Sequence, residues 1–596
     1  MRLINVKACL ERESLIREGK RVDRRTKVLE FGDDEETEYA ILSHRWIAQE
    51  VDYVEMVELA KMDGEERDEI RQRDAYQKIL RSCEQALKDG YEWLWVDTCC
   101  IDKRSSAELS EAINSMYRWY ENARVCYAYL HYFPDPLFLT ASDDERYPNS
   151  NGWPEWFSRG WTLQEMVAPS DVQFFNKDWH PIGDKSTLAP TLADITGIPV
   201  HILIHELRGN RPCVAQIMSW AAHRTTTRVE DRAYSLLGLL DVNMPMLYGE
   251  GKKAFHRLQL EIIRASNDQS IFAWGCNVRT GNILADDPSF FEDCDAMELM
   301  DHDEFIQFLK QVIPEEELPF IKKDRFGVFP VTNRGIQIWL LFRSDATSDS
   351  VFQAWLPCRF CPMFPPATID LVLWEDDYYR YPYAAHPYSG GPPQLRHVYL
   401  RYQDPPHRNA TFEIDDSTLT ENGFTHCSTY PEKFTGNRFT LTGTDPICVK
   451  VYFDSQADCR FAVGFGQSFG KDWIHVVSEE LTRRRPSWES YALYEHHEMV
   501  CKSLDHAQTM NKARSGPECN DRLFITQIRL NPFPRPGFFK LRLSCGSAQG
   551  CVELSLTYLG FLVSVRYQVN GPTSMLTCVF SCIPNTISLA LIPLFI

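Results

Sequence analysis

Between residues 36 and 275, short apolar runs alternate with amphipathic stretches, and no other feature constrains the fold of this chain as tightly. Tyr39-Ala-Ile-Leu42, Trp93-Leu-Trp-Val96 and Val125-Cys-Tyr-Ala-Tyr-Leu130 are too short for helices and rich in the residues that suit buried strands. Between the first two, Tyr76, Ile79, Leu80, Cys83 and Leu87 recur at helical spacing from about Asp74, and Gly90 supplies a stop. Between the second and third, Ser105 and Glu108 have the spacing of a capping box. The stripe that follows is Leu109, Ile113, Met116, Tyr117 and Tyr120. Strand, helix, strand, helix, strand predicts an α/β region: a parallel sheet flanked by helices, with Trp93–Val96 and Val125–Leu130 as neighbouring central strands. Further helices are expected around 161–167, 214–223, 229–240 and 252–265.

The texture changes after Trp274. GNILADDPSFFEDCD reads as a linker, and beyond about residue 325 the pattern alternates with period two, as in Ile336-Gln-Ile-Trp-Leu-Leu, Val398-Tyr-Leu-Arg-Tyr and Val449-Lys-Val-Tyr-Phe. That predicts a mainly β region, a sandwich or a related all-β domain. The expected division is 1–275, a connecting region 276–325, a β-rich region 326–572 and an apolar tail 573–596. From Met575 onward the tail carries no charge, and its length alone would permit a membrane span, but Pro584, Asn585 and Pro593 interrupt it. A tail anchor and a buried terminus are both compatible with it.

The formal net charge of −20 disfavours binding to phosphate backbones, so no nucleic-acid partner is expected. The segment MRLINVKACLERESL lacks the apolar stretch of a secretory signal; the cytoplasm is the expected compartment, with the 19 cysteines as reduced thiols. Cys358 and Cys361 form a lone CxxC, and His201 and His205 lack a placed third ligand, so no metal site is expected. Tyr248-GEGKK lacks the spacing of a phosphate-binding loop, and Gly464-FGQSFGKD has a glycine one position off and no Ser/Thr after Lys471.

In open α/β sheets, ligands bind outside the carboxyl ends of the strands. Ser43, His44, Arg45 and Trp46 follow the first strand, and Asp97 and Asp102 follow the second. An arginine there suits a carboxylate or phosphate; a buried Arg45–Asp97 structural pair is the equal alternative. A His44 relay to Cys99 or Cys100 is a further, weaker arrangement.

Three blocks resemble the signature of the fungal heterokaryon-incompatibility (HET) family. They are Ala40-ILSHRW to Trp46, the run WVDTCCIDKRSSAELSEAINSMYRWYENARVCYAYL from Trp95 to Leu130, and Trp156-FSRGWTLQEMVAP to Pro169. Met218 to Ile263 is similar to the usual continuation. The resemblance implies an effector of programmed cell death. It also implies a distant likeness to Toll/interleukin-1-receptor-type (TIR) domains, several of which cleave NAD. On that likeness the fold is TIR-like and Glu165, in Ser158-RGWTLQE, is the catalytic carboxylate. NAD or a related nucleotide is then the substrate, with no resident cofactor. Arg159 and Trp161, four residues before Glu165, join the substrate-binding set, and Trp46 and Trp161 offer faces for nicotinamide or adenine. Glu165 could instead pair with Arg159 or Arg45. The other reading of the resemblance is non-enzymatic, a module acting by homotypic assembly or through other incompatibility proteins.

Overall fold

A computed structural model describes residues 1–501 apart from 21–26, 63, 208, 210, 276–280, 322–324, 345–349, 382–390, 405–408, 416–419, 421–423, 443–444, 455–458, 470 and 479–485. Beyond them it describes the backbone of strands Phe538–Arg542, Cys551–Tyr558, Phe561–Val569, Leu576–Ile583 and Ser588–Ala590.

The first three apolar runs are strands at the heart of a seven-stranded mixed sheet. Its strands are β1 (Arg2–Asn5), β2 (Leu29–Phe31), β3 (Tyr39–His44), β4 (Trp93–Val96), β5 (Val125–Tyr129), β6 (Val172–Phe175) and β7 (Pro181–Asp184), in spatial order β2-β1-β4-β3-β5-β6-β7. The four central strands, β4-β3-β5-β6, are parallel. The outer pairings, β1 with β2 and β4 and β6 with β7, are antiparallel. All six residues of β3 and all five of β5 are buried, as expected of strands covered on both faces. One expectation needs correcting: β4 and β5 are not neighbours, because β3 lies between them and pairs with each. The chain runs from β3 to one side and returns to the other, so the sheet order reverses at β3.

Helices α1 (Val6–Arg17), α2 (Tyr53–Glu58), α3 (Gly64–Gln72), α4 (Asp74–Lys88), α5 (Ser106–Asn122) and α6 (Thr162–Val167) accompany these strands. Helix α4 buries Tyr76, Ile79, Leu80 and Cys83 as its spacing predicts, and Gly90 follows its end with φ +89°. Leu87 departs from the expectation: it is exposed, while Lys78 and Ser82 are buried. At the start of α5 the Ser105 hydroxyl accepts the Glu108 N–H. The Glu108 carboxylate does not reciprocate, because it accepts the Asp102 N–H at 2.8 Å and pairs with Arg2. The cap is therefore half of the expected box. Helix α5 is tied to β3 by the Tyr39 hydroxyl, which donates to the Trp119 carbonyl at 2.6 Å. Trp95 packs edge-on against Trp119 and Tyr120, with ring centres 5.5 and 5.8 Å apart.

Gly238 lets the segment after Asp231–Tyr234 lie directly on α5. A Cβ at this position would fall inside the van der Waals envelope of the Tyr117 side chain, next to its Cβ, where no rotamer change can clear it. Gly238→Ala is therefore expected to lower unfolding free energy by about 1–3 kcal/mol, read as a shift in the denaturant midpoint at unchanged slope.

The second region is β-rich, as expected, and of the two all-β arrangements its first part takes the barrel. Strands Val351–Trp355, Thr368–Trp374, Asp377–Arg380, Gln394–Leu400 and Ile336–Ser344 form a closed five-stranded barrel. Closure comes from Gln394–Leu400, which runs antiparallel along Ile336–Phe342. A four-stranded sheet, Phe424–Tyr430, Ile447–Asp454, Cys459–Ser468 and Lys471–Ser478, carries helix Trp488–Cys501 on one face. The barrel's Arg380 donates to the carbonyls of Phe272 and Trp274, at 3.2 and 2.6 Å. Buried residues of the α/β sheet and of the barrel belong to one continuous apolar cluster. Pro288–Cys294 is a 3-10 turn and His302–Val312 a helix, and Phe291, Cys294 and Phe305 are buried. No helix among the described residues is long and apolar enough to cross a membrane.

Candidate functional site

The carboxyl ends of β3, β4 and β5 converge on one edge of the sheet, and most of the expected site residues stand there. Ser43 is fully buried near the end of β3. Its hydroxyl donates to Glu165 Oε2 at 2.5 Å and accepts the Trp156 indole N–H at 2.8 Å. Glu165 is positioned by α6, whose six residues are all buried, and Trp156 by the 3-10 turn Glu155–Ser158 that precedes it. Ser43 and Glu165, 122 residues apart in sequence, are thus one hydrogen-bonded pair.

Burial pushes the Glu165 carboxyl up to about 7. The Ser43 hydrogen bond opposes that rise, Asp97 adds to it, and Arg159 and Arg224 counter it from a distance. No cation is paired with Glu165 among the described residues: Arg45 pairs with Glu155 instead. The alternatives of a Glu165–Arg45, Glu165–Arg159 or Arg45–Asp97 pair are therefore not formed. Arg224 is buried, and burial pulls its guanidinium down to about 9. It donates to the Arg159 carbonyl, Thr162 Oγ1 and the Trp220 carbonyl at 2.9, 3.0 and 3.1 Å, while its Nη2 has no partner. A carboxyl poised near neutrality with a desolvated guanidinium in its field can hold or release a proton, and can stabilise positive charge that develops nearby.

His44, Trp46 and Asp97 form a second cluster beside the first. The Trp46 indole N–H donates to Asp97 Oδ2 at 2.7 Å, and the Lys103 ammonium sits 3.7 Å from the centre of the Trp46 ring. His44 Nε2 lies 3.7 Å from Asp97 Oδ1 and 3.8 Å from Glu50 Oε2. Burial and the surrounding cations hold the His44 imidazole well below its usual range, so the ring is neutral and these approaches are not ion pairs. Both ring nitrogens lack a hydrogen-bond partner. Glu50 instead accepts from the buried Lys78 ammonium at 2.7 Å and from the Ile47 N–H at 2.8 Å.

The remaining expected residues go elsewhere. Asp102 chelates Arg104 at 2.8 Å through both oxygens, which holds its carboxyl down at about 2. Trp161 hydrogen-bonds Asp231, which also accepts from the Tyr248 hydroxyl at 2.9 Å. Cys99 and Cys100 are buried, and the partner thiol together with burial holds Cys99 well above the usual thiol range, so His44 has no thiolate to activate. Gly249 and Gly251 aim their N–H groups at Glu230 Oε1, at 2.8 and 3.0 Å; the GEG loop clamps a carboxylate of its own chain. Trp156, Glu50, Lys78 and Arg224 were not expected.

A cavity of about 230 Å³ opens on the same edge of the sheet. It is lined by Arg45, by residues 129–133 at the end of β5, by Arg146 and Tyr147, and by Pro154, Glu155 and Trp156. Of the expected residues it takes Arg45 alone. Ser43 and Glu165 lie behind Trp156, and Asp97 lies outside.

Residues 39–135, the span that holds β3, β4 and β5, match the family model described as heterokaryon incompatibility protein (HET). Residues 253–280 match a domain of unknown function, DUF8212. Among curated proteins the chain is similar to the vegetative incompatibility protein HET-E-1 of Podospora anserina, with 43% identity over 239 residues. The match covers 38% of this chain and 16% of that protein, so the chain spans only about a sixth of its length. No solved structure matches the chain.

Proposed function

We propose that the chain is an incompatibility effector acting in the cytoplasm, and that its N-terminal domain, residues 1–275, promotes cell death by hydrolysing NAD or a related nucleotide. The observation that carries this reading is the Ser43–Glu165 pair: a buried carboxyl brought to about 7 at the carboxyl edge of a parallel sheet. Cleavage of the nicotinamide–ribose bond by water yields nicotinamide, ADP-ribose and a proton. The bond breaks through a ribosyl cation, which an ionised Glu165 stabilises, as carboxylates do in glycoside hydrolysis. With the carboxyl near half ionised at neutral pH, the same group accepts the proton of the attacking water. The family resemblance of the sequence implies the same role for Glu165. Because Trp156 stands between Glu165 and the cavity, the reading includes a rotation of the Trp156 side chain when substrate enters.

The enclosure of Glu165 favours a second reading, in which the domain acts by homotypic assembly and the buried polar groups hold its shape. Incubating the full chain with NAD and following free nicotinamide separates the two: release that is lost in Glu165→Gln supports hydrolysis, and killing without any release supports assembly.

A further inference from the structure

The cavity lined by Arg45, His131, Arg146, Tyr147 and Trp156 holds none of the groups given a chemical step above, and four observations bear on what it takes. The first is its position. Counted from β3, the parallel strands run in the order 2-1-3-4, so the strand order reverses between β3 and β5. The cavity wall comes from Arg45, just after β3, and from residues 129–133 at the end of β5. That is the topological switch point, where open sheets of this order bind their ligands.

The second is size. About 230 Å³ is below the ~300–1,000 Å³ of pockets that enclose a drug-sized ligand. The space suits one heterocycle with its sugar, not a whole dinucleotide. The third is the wall itself. Tyr132, Tyr147 and Trp156 present aromatic surface. The Arg45 guanidinium lies 5.7 Å from the Tyr132 ring centre and that of Arg146 5.2 Å from Tyr147. Arg45 pairs with Glu155, but both side chains are more than one-third exposed, and such pairs are weak. A phosphate can take over the guanidinium at little cost. Arg146 is held by Asp135 at 2.6 Å.

The fourth is unmet hydrogen bonding. Tyr147 is only 7% exposed, yet its hydroxyl has no partner, and His131 Nδ1 is likewise buried without one. Burying such groups unpaired costs stability unless a ligand or water completes them. Burial holds His131 below its usual range, which leaves the ring neutral, with one nitrogen to accept and one to donate. A hydroxyl and a neutral imidazole match the amide or amino edge of a nitrogen heterocycle.

We propose that this cavity is the recognition subsite for one mononucleotide half of the substrate, the heterocycle lying against the aromatic wall with its polar edge on Tyr147 and His131 and its phosphate on Arg45. The inference rests on the nucleotide-hydrolase reading for its place in catalysis, while binding to the cavity is measured without turnover. The test titrates the full-length Glu165→Gln chain with nicotinamide mononucleotide and, separately, with adenosine monophosphate, by calorimetry and tryptophan fluorescence. At least one nucleotide is expected to bind, and the arm that binds identifies which half the cavity holds. Adding Tyr147→Phe should weaken that binding about five- to tenfold, the worth of one hydrogen bond. The melting temperature should not fall, because the lost hydroxyl bonds nothing in the free chain. If neither nucleotide binds, or Tyr147→Phe and His131→Phe both bind as tightly as the parent, the proposal is overturned. Nicotinamide release with an unchanged KM in Tyr147→Phe would overturn the subsite and leave the hydrolase reading standing. Tyr147-dependent binding without any NAD cleavage would support the subsite and end that reading.

Discussion

Glu165→Gln is expected to give a folded, abundant chain that no longer kills, with nicotinamide release down by about 10²–10⁴-fold, because glutamine keeps the shape and the Ser43 contact but cannot carry the charge. The same substitution should stabilise the protein, and the sign follows from linkage. The carboxyl has an ordinary value of 4.5 and is raised to about 7 in the fold. Below pH 4.5 it is protonated both folded and unfolded, and no stability is lost. Between 4.5 and 7 the folded chain holds more protons than the unfolded one, so stability falls as pH rises; above 7 the loss is complete, at about 3 kcal/mol. Glutamine removes that loss. Thermal melts of parent and variant should therefore coincide near pH 4 and separate at pH 8, the variant melting higher. A variant that melts lower at pH 8 would mean that Glu165 is a structural counter-ion after all. A stable variant that still kills would end the catalytic role.

Glu50→Ala should be the most damaging single change in the site region. Lys78 is 3% exposed, and Glu50 is its one carboxylate partner among the described contacts, at 2.7 Å. Burial already pulls the Lys78 ammonium below its usual range, with Glu50 holding it up. Removing Glu50 leaves a buried charge to be stranded or neutralised, at about 3–5 kcal/mol, and also frees the Ile47 N–H. Urea unfolding should show the loss, and the double variant Glu50→Leu with Lys78→Met should recover most of it, since an apolar pair of similar size needs no partner. If the single variant unfolds like the parent, the pair contributes nothing and the second cluster is held by other contacts.

Local pattern was enough for β3, β4, β5, α4 and α5, while the segment expected as a helix over 229–240 is helical only at Asp231–Tyr234. The apolar runs at Tyr39, Trp93 and Val125 are strands because a sheet covered on both faces accepts little else. Spatial order was not legible, since nothing local says that β3 inserts between β4 and β5. Leu87 misled because a single apolar residue at helical spacing carries no record of where the neighbouring helix ends. Sandwich and barrel share the same alternation, and only the pairing of Gln394–Leu400 with Ile336–Phe342 distinguishes them. In the site, the strand-end rule and the family resemblance together brought in Ser43 and Glu165. Trp156, Lys78 and Arg224 escaped because their roles exist only through contacts between distant segments. Asp102 and Trp161 were drawn in by proximity in sequence, and each found a nearer partner, in Arg104 and Asp231.

The proposed activity is that a buried carboxyl at the carboxyl edge of the seven-stranded sheet cleaves a nucleotide. The direct measurement is free nicotinamide, followed over time by chromatography, from the purified full chain incubated with NAD at pH 7. The account predicts steady release by the parent chain and release reduced by about 10²–10⁴-fold in Glu165→Gln of equal solubility. Release that is absent from a parent chain able to kill, or equal in the two proteins, would contradict it.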